Sequence, residues 1–405
     1  MNILYICHRF PFPPKRGGKI RPFNMIRHLN EQGHNIWVAS LARSASEREE
    51  CEGIEEYCHD YFCSTVNELA QTARMALRLP LPTPSSMGYF FSHELKQHID
   101  QLLQNNDFDL IFVHCSSVAQ YVQHVQGIPK ILDFGDMDSQ KWLSYTSFKP
   151  FPLNYGYWWE GQKMLRAEKK LAAQFDMCTA TTRMEWETLS GFEVSEDTDW
   201  FPNGVDANYF SPSEEKYNTN AISFIGRMDY YPNQQSMLEF CSKTLPLIKE
   251  IIPDVQLFIV GADPSEAIKR LEDIPGVTVT GSVPDVRPYV RQTAAMVAPL
   301  NIARGTQNKI LEAMSMGVPV VSSTSAAGGI DAIAGQHFLV AKKPHEYCKH
   351  LVELMQNADH RASFSVAGRA RVLSNHNWRS SMQRMDRIIA RCVENSSVST
   401  TFATY

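Results

Sequence analysis

The chain has 405 residues, of which 43% are hydrophobic and 20% charged, with a formal net charge of −5. This length suits two domains with a core each, and the composition is ordinary for a soluble globular protein. The negative charge argues against general nucleic-acid binding. Apolar runs have only the length of strands, which predicts no membrane-spanning helix. Nine scattered cysteines and a start without a signal-peptide pattern predict a cytoplasmic protein with reduced thiols.

Strand and helix patterns alternate from the first residue. A strand at residues 2–7 is followed by a helix at 19–32 and by strands at 34–39, 110–113, 130–133 and 176–180. A second series begins near Ala221, with strands at 222–225, 256–260, 277–279, 295–298 and 318–321. This recurrence predicts two α/β domains, each with a doubly wound parallel sheet. Ligands of such sheets bind at the carboxyl ends of the strands, so we expect a site in a cleft between the domains.

The segment between the two series contains proline, Asn-Gly and a polar run, which are typical of a linker. We therefore predict a first domain at residues 1–205, a linker at 206–220 and a second domain at 221–375. The Ser/Thr-rich residues 393–405 are predicted to be a disordered tail.

The most informative motif is residues 305–321, which combine a glycine turn, a helix and a buried strand. Gly305 lets backbone approach a ligand closely, and the helix that follows offers amides to an anion. Lys309 suits a phosphate, and Glu312 lies one turn further along the same face, where it suits ribose hydroxyls. A nucleotide site and an ordinary helix–strand unit with solvated side chains both fit this spacing.

The loop after the first strand contains Lys15 and Arg16, followed by the pair Gly17-Gly18, which can present amides to a phosphate. It matches neither a Rossmann fingerprint nor a Walker A motif. Residues 1–30 carry six basic residues and no acidic one: Arg9, Lys15, Arg16, Lys19, Arg21 and Arg27. This segment suits either the rim of a phosphate site or an anionic membrane surface, and both interpretations remain open.

Polar residues also follow two strands of the first series. His114 ends one strand, where it points toward a site, although a lone histidine is more often structural. Asp133, Asp136 and Asp138 follow the next strand and include a D-x-D pattern. These aspartates can contact an acceptor, hold local structure or bind a metal, and the last is the weakest interpretation.

Residues 305–321 resemble the donor-site signature of glycosyltransferase family 4, which has the GT-B fold. Further features of that family follow over residues 1–390, and the resemblance is greatest to the bacterial exopolysaccharide-associated sugar transferases. It implies two Rossmann-like domains facing a central cleft. It also implies a retaining enzyme that moves a sugar from a nucleoside-diphosphate sugar to a glycan or lipid-linked acceptor, with no metal or other cofactor. The inner face of a bacterial membrane would be the setting.

The resemblance also assigns roles. His114 would contact the transferred sugar, and Arg227 and Lys309 would neutralise the leaving diphosphate, with Lys309 replacing a lysine that this chain lacks near Asn233. Lys15, Arg16, Asp133 and Asp136 are acceptor-side candidates, and no metal ligands are expected. The predicted donor-binding residues are Gly17, Gly18, Gly281, Ser282, Val283, Arg304, Gly305, Thr306 and Glu312.

The chain departs from the family pattern at Arg304, which stands where the first of two glutamates is usual. Sugar recognition is therefore open, and an acidic sugar is one hypothesis. A non-catalytic nucleotide-sugar scaffold and a nucleotide-sugar 2-epimerase are the alternative functions. The aromatic residues 142–159 suit an acceptor platform, a membrane-edge belt or domain packing. Residues 376–392, with Trp378 near their start, are predicted to form a helix that crosses back to the first domain.

Overall fold

A computed structural model describes residues 1–14, 17–194, 197–303 and 305–402 of the chain. The chain forms two compact units. Unit 1 comprises Met1–Phe201 and the chain from Met382 onward, and unit 2 comprises Pro202–Ser381. The chain thus leaves unit 1 slightly before the boundary predicted at residue 205, and the end of the predicted linker already forms a strand.

Unit 1 is built on a seven-stranded parallel sheet in the part of the chain that the structure describes. The central strands are fully buried apolar runs, as expected for a parallel sheet covered on both faces. The strand order is β3-β2-β1-β4-β5-β6-β7. These strands are β1 (Asn2–Cys7), β2 (Asn35–Ala42), β3 (Asp60–Thr65), β4 (Leu110–His114), β5 (Lys130–Asp133), β6 (Met177–Ala180) and β7 (Thr198–Trp200).

Helices connect these strands and cover the sheet. They are α1 (Gly17–Glu31), α2 (Ala45–Glu49), α3 (Glu68–Arg78), α4 (Ser85–Tyr89), α5 (His93–Asn105), α6 (Asp138–Thr146), α7 (Leu153–Ala172) and α8 (Arg183–Ser190). Short 3₁₀ helices lie at Ile54–Glu56 and Ser116–Tyr121.

Unit 2 repeats this plan on a six-stranded parallel sheet, counted over the described residues. The strand order is β10-β9-β8-β11-β12-β13. The strands are β8 (Asn218–Ile225), β9 (Gln256–Val260), β10 (Val277–Gly281), β11 (Thr293–Ala298), β12 (Val320–Ser323) and β13 (Leu339–Ala341). The helices are α9 (Tyr231–Glu239), α10 (Leu245–Ile251), α11 (Glu266–Lys269), α12 (Arg287–Arg291), α13 (Asn308–Ser315), α14 (Thr324–Ala327), α15 (Pro344–Gln356) and α16 (Ala358–Asn375). A π-helical turn lies at Phe240–Thr244 and a 3₁₀ helix at Arg270–Asp273.

The last helix, α17 (Trp378–Phe402), returns the chain to unit 1. One of its faces is buried and carries Met382, Met385, Ile388, Ile389 and Cys392. Asp386 lies 2.9 Å from His28 Nε2, and Arg384 donates to Asp199 at 2.7 Å. The helix continues through much of the segment predicted to be a disordered tail, because adding a residue to an existing helix is far easier than starting one.

The fold prediction is confirmed: both units are Rossmann-like α/β structures with parallel sheets. In each unit the loops after the central strands lie together at the carboxyl edge of the sheet, where ligands of such sheets bind. These two edges carry the residues considered next.

Candidate functional site

In unit 2 the ends of β8 and β9 lie close together because each strand is followed by a glycine. A Cβ atom on Gly261 would lie 1.8 Å from the carbonyl oxygen of Gly226. A Cβ atom on Gly226 would lie 2.7 Å from Asn233 Nδ2 and 2.9 Å from Lys309 Nζ. Glycine at both positions therefore lets the polar groups of α9 and α13 approach the end of the central strand.

Lys309 and Asn233 meet at this strand end. Lys309 Nζ donates a hydrogen bond to Asn233 Oδ1 at 2.8 Å and lies 4.4 Å from the centroid of the Phe224 ring. Asn233 Nδ2 in turn donates to the backbone carbonyl of Arg227 at 2.8 Å. One buried amide therefore fixes both the ammonium of Lys309 and the loop that carries Arg227.

Arg227 is exposed and bound by two carboxylates. Its guanidinium donates to Asp229 at 3.0 and 2.6 Å and to Asp263 at 2.6 Å. A diphosphate would have to compete with these aspartates, which hold the guanidinium at the end of β8.

Burial shifts the pKa values of Lys309 and Glu312 toward each other. Desolvation lowers the pKa of Lys309 to about 7, although the charge of Glu312 acts in the opposite direction. Desolvation likewise raises the pKa of Glu312 to about 7, opposed by the charge of Lys309. An anion bound beside Lys309 would favour its charged form, so this pair can respond to a ligand.

The described donor-binding candidates that remain in unit 2 lie in loops on the same edge of its sheet. Gly305 is buried and Thr306 half-buried just before α13, and the Thr306 hydroxyl is buried without a hydrogen-bond partner among the described residues. Gly281 ends β10, and Ser282 and Val283 follow it. Arg304 lies outside the described residues.

In unit 1 the carboxyl edge contains a buried charged cluster centred on Asp133. The Asp133 carboxylate accepts two hydrogen bonds from Arg21, at 2.9 and 3.0 Å, and one from Thr179 at 2.9 Å. His114 Nδ1 lies 2.7 Å from the same carboxylate, in a register that pairs the two residues on neighbouring strands. Burial alone would raise the pKa of Asp133, but Arg21 and His114 outweigh it and hold the pKa well below its usual range.

This geometry corrects the acceptor-side interpretation of Asp133. Its side chain is fully buried, so it holds local structure and orients His114 rather than touching a ligand. Because Asp133 occupies Nδ1, Nε2 is the nitrogen of His114 that remains for a substrate. Asp136 is exposed and stays an acceptor-side candidate.

The basic residues of the first loop are not all at the surface. Lys19 is buried and lies 3.3 Å from Glu47, and Arg21 is buried against Asp133. These two residues therefore cannot form part of an anionic membrane contact. Gly17 and Gly18 are exposed at the start of α1, as a phosphate-binding helix end requires. Lys15 and Arg16 lie outside the described residues.

Two buried glutamates bind the first turn of α6. Ser139 N–H donates to Glu168 at 2.9 Å and Met137 N–H donates to Glu185 at 3.2 Å. Burial raises the pKa of Glu168 to about 8 despite the hydrogen bonds from Ser139.

In the described ranges no group of three or more His, Cys, Asp and Glu side chains is arranged to hold a metal ion. None of the helices described is both long and apolar enough to cross a membrane.

Two ranges of the chain match models of known protein families. Residues 16–209 match the model of glycosyltransferase family 4, and residues 219–357 match the model of glycosyl transferases group 1. The two matches fall one in each half of the chain and together span most of it. The chain is a GT-B glycosyltransferase.

Solved structures and curated relatives of this glycosyltransferase agree with that assignment. Anabaena HepE in complex with UDP is similar over 96% of this chain and 100% of its own, with a TM-score of 0.70 and 14% identity. The phosphatidyl-myo-inositol mannosyltransferase of Mycobacterium leprae is 24% identical over 74% of this chain and 78% of its own. An uncharacterized 44.6 kDa protein in the cps region of Klebsiella pneumoniae is 19% identical over 88% of this chain and 91% of its own.

The sequence did not show the roles of several residues that shape the two edges of the glycosyltransferase. Arg21 and Thr179 pair with Asp133, and Asp263 pairs with Arg227, each from a distant part of the chain. Asn233 stands where the family pattern has a lysine that Lys309 is expected to replace, and in the structure it accepts a hydrogen bond from Lys309. A polar residue beside a proline in the first turn of a helix was the one signal that could have marked it.

Proposed function

We propose that this glycosyltransferase moves a sugar from a nucleoside-diphosphate sugar to a glycan or lipid-linked acceptor, with retention of anomeric configuration. The reaction would serve bacterial polysaccharide biosynthesis at the inner face of the membrane. It would need no metal ion or other cofactor.

The observation that carries the donor assignment is the arrangement of Lys309, Asn233 and Arg227 around the end of β8. Two cationic side chains are brought to one strand end, and one of them lies against an aromatic ring with its pKa lowered by burial. The glycines at residues 226 and 261 keep Cβ atoms out of this position. Such a site suits a diphosphate, because the partly desolvated ammonium of Lys309 and the exposed guanidinium of Arg227 can each pair with one of its two phosphate groups.

The proposed reaction uses these cations to stabilise the leaving group. The bond between the anomeric carbon and the diphosphate oxygen breaks, and the acceptor oxygen bonds to the same face of that carbon. The acceptor proton passes to the departing phosphate oxygen. Arg227 and Lys309 would neutralise the charge that develops on the diphosphate, and His114 would hydrogen-bond the transferred sugar. Glu312 would hold the ribose hydroxyls.

Relatives support the substrate classes. HepE was solved with UDP and with UDP-glucose, which supports a nucleoside-diphosphate donor. The mannosyltransferase of Mycobacterium leprae is named for phosphatidyl-myo-inositol, which supports a lipid-linked acceptor.

Calorimetric titration with UDP, GDP and ADP, in EDTA, tests the donor site. We expect saturable binding of one of them and a loss of about 10- to 100-fold in affinity in Lys309→Met, from one lost charge-assisted contact. Lys243→Met is the matched control, since that lysine is exposed in the same unit and pairs with Glu239. Binding to none of the three by the folded protein, or equal losses in both variants, would refute the assignment.

The stereochemistry and the metal requirement have separate tests. With the nucleotide-sugar matching the bound base and a cell-derived lipid fraction as acceptor, NMR of the product should show the donor's anomeric configuration. Turnover should persist in EDTA. An inverted product would overturn the retaining mechanism, and a strict need for a divalent ion would overturn the metal-free one.

A further inference from the structure

Two polar side chains at the carboxyl edge of the unit 1 sheet have no role in the reaction described so far. His8 directly follows β1, and Arg43 directly follows the neighbouring strand β2. Both residues are half-buried. Because β1 and β2 run parallel, the side chains that follow them lie on the same edge as His114.

His8 and Arg43 pack against the same aromatic residues. Arg43 Cζ lies 5.8 Å from the centroid of the Tyr89 ring and 6.0 Å from that of Phe90, which is the range of a cation–π contact. The His8 ring meets the Phe90 ring edge to face, with centroids 5.5 Å apart. Phe90 therefore holds the imidazole and the guanidinium close to each other.

Neither of these polar groups is satisfied by the protein. Within the described part of the chain, the His8 ring and the Arg43 guanidinium form no hydrogen bond or ion pair, and His8 Nδ1 and Arg43 Nε are shielded from solvent. Glu47 does not neutralise Arg43, because one of its oxygens accepts the backbone N–H of Arg43 at 2.8 Å and the other lies 3.3 Å from Lys19 Nζ. Shielded polar groups without partners cost free energy, which a ligand can recover.

The charge around His8 is positive. Burial lowers the pKa of His8 well below its ordinary value, so the ring is neutral near neutral pH. Four groups that can carry a positive charge lower it further: His114, Arg9, Arg43 and Lys141. Lys141 lies 3.9 Å from Asp138, which offsets part of its charge, whereas Arg43 has no such carboxylate among the residues described. An anion is therefore favoured on the Arg43 side of His8.

The strand order gives this edge a direction. Arg43 follows β2, His8 follows β1, His114 ends β4, and Asp136 comes after β5, and these strands are neighbours in that order. The rings of His8 and His114 have centroids 5.9 Å apart. Neighbouring strands are about 4.8 Å apart, so Arg43 is displaced from His114 by roughly 10 Å along the edge. A cationic end and an acidic end thus lie on opposite sides of His114.

We propose that Arg43 and His8 bind a phosphate group of the acceptor, about one sugar ring away from the hydroxyl that reacts beside His114. The guanidinium would pair with two phosphate oxygens, and the neutral imidazole would donate one further hydrogen bond. Asp136 would repel a phosphate from the other side of His114 and so fix the orientation of the acceptor. The acceptor would be a sugar phosphate, either free or esterified to a lipid. Its role as acceptor rests on the proposed transfer reaction, whereas the anion site rests on unit 1 alone.

NMR of the full chain with isotope-labelled histidine tests this site, and His8→Gln identifies the His8 signal. We expect glucose 1-phosphate to shift that signal saturably and glucose to leave it unchanged. Arg43→Met should weaken the affinity about 10- to 100-fold, from the loss of a charge-assisted contact. Arg43→Lys should lie between, since it keeps the charge without the guanidinium fork. Arg183→Met is the matched control, because that exposed arginine of unit 1 pairs with Glu187.

Three outcomes would overturn the proposal: no saturable shift of the His8 signal, an equal loss in Arg43→Met and Arg183→Met, or equal affinity for glucose 1-phosphate and glucose. Glucuronate that binds as tightly would overturn the choice of phosphate over carboxylate.

A further probe, glucose joined through a diphosphate to farnesol, identifies the source of the phosphate. Tighter binding of this probe would support a lipid-linked acceptor, and tighter binding of glucose 1-phosphate a free one, provided that Arg43→Met weakens both. The His8 signal reports on unit 1, so a failure of nucleotide binding in unit 2 would refute the transfer reaction and leave the anion site. Nucleotide binding without any response of His8 would refute the anion site alone.

Discussion

Lys309 lies between the ring of Phe224 and the amide of Asn233, where burial lowers its pKa to about 7. A diphosphate bound beside it would raise that pKa again, so binding near neutral pH should take up protons. Because the charge of Lys309 lowers the pKa of Glu312, protonation of the lysine would release part of the proton that Glu312 holds, so the net uptake is less than one proton. Since the protonated lysine is the form that binds, nucleotide affinity should fall as pH rises above about 7.

Calorimetry in buffers of different ionisation enthalpy measures this uptake directly. We expect a fraction of a proton per nucleotide between pH 7 and 8 in the wild type. Lys309→Met should lose most of it and flatten the pH dependence, while Lys243→Met keeps both. Proton release on binding would mean that the diphosphate does not lie beside Lys309.

Arg21 neutralises the buried Asp133, with both side chains almost completely removed from solvent. Arg21→Met leaves that carboxylate without its main partner, and we expect unit 1 to lose about 3–5 kcal/mol of unfolding free energy. Arg27→Met is the control, since that residue forms an exposed pair with Glu31 and should cost less than about 1 kcal/mol. Urea unfolding measures both variants, and similar values for the two would show that Arg21 is not what holds Asp133.

For single residues, the sequence showed which side chains are close along one helix better than it showed what each side chain does in the fold. The spacing around Lys309 and Glu312 was readable because both lie on one short helix. The role of Asp133 was not readable, because its partner Arg21 is 112 positions away in the chain and only the sheet brings the two together. The sequence around an aspartate does not show whether its carboxylate will face solvent or pair with a buried arginine.

The first turn of α6 depends on Glu168, whose pKa burial raises from its ordinary value of 4.5 to about 8. In the unfolded chain this carboxyl ionises near its ordinary value, whereas the folded chain keeps the proton. Unit 1 should therefore lose stability as pH rises from about 4.5 to about 8.

Glu168→Gln retains an oxygen that can accept from Ser139 N–H but cannot ionise. We expect the variant to be more stable than wild type at pH 8, by on the order of 1–3 kcal/mol, and the difference to vanish near pH 5. Glu31→Gln, at an exposed glutamate, should show no such trend. Thermal unfolding over this pH range decides the point, and a difference that grows toward acid pH would contradict the raised pKa.

Among the elements, the buried strands were the most predictable, because Leu110–His114 and Gln256–Val260 are apolar runs of strand length. Asp60–Thr65 was missed, since it mixes polar and apolar residues at the sheet edge. The sequence also could not predict which face of α3 contacts unit 1. An amphipathic pattern shows that a helix has two faces, and only the bonds of Gln71 and Arg74 show which face meets the protein.

At the scale of the whole molecule, the division into two α/β units follows from the repeat of strand and helix patterns. The return of α17 to unit 1 came only from family resemblance, because nothing in its own residues names the surface that buries it. Its buried face carries Ile388, which is 1% exposed, and its Asp386 bonds His28 of the same unit. The stability of unit 1 should therefore depend on residues near the C-terminus.

Reciprocal core truncations test this dependence. Ile388→Ala should destabilise unit 1 by about 2–5 kcal/mol, and Leu351→Ala, at a fully buried residue of unit 2, should destabilise unit 2 by a similar amount. Scanning calorimetry with and without the bound nucleotide separates the two transitions, since a nucleotide held mainly by Lys309, Arg227 and Glu312 of unit 2 raises chiefly the melting temperature of that unit. We expect Ile388→Ala to lower the transition that does not respond to nucleotide. If it lowers the nucleotide-sensitive transition instead, α17 stabilises unit 2, and its assignment to unit 1 fails.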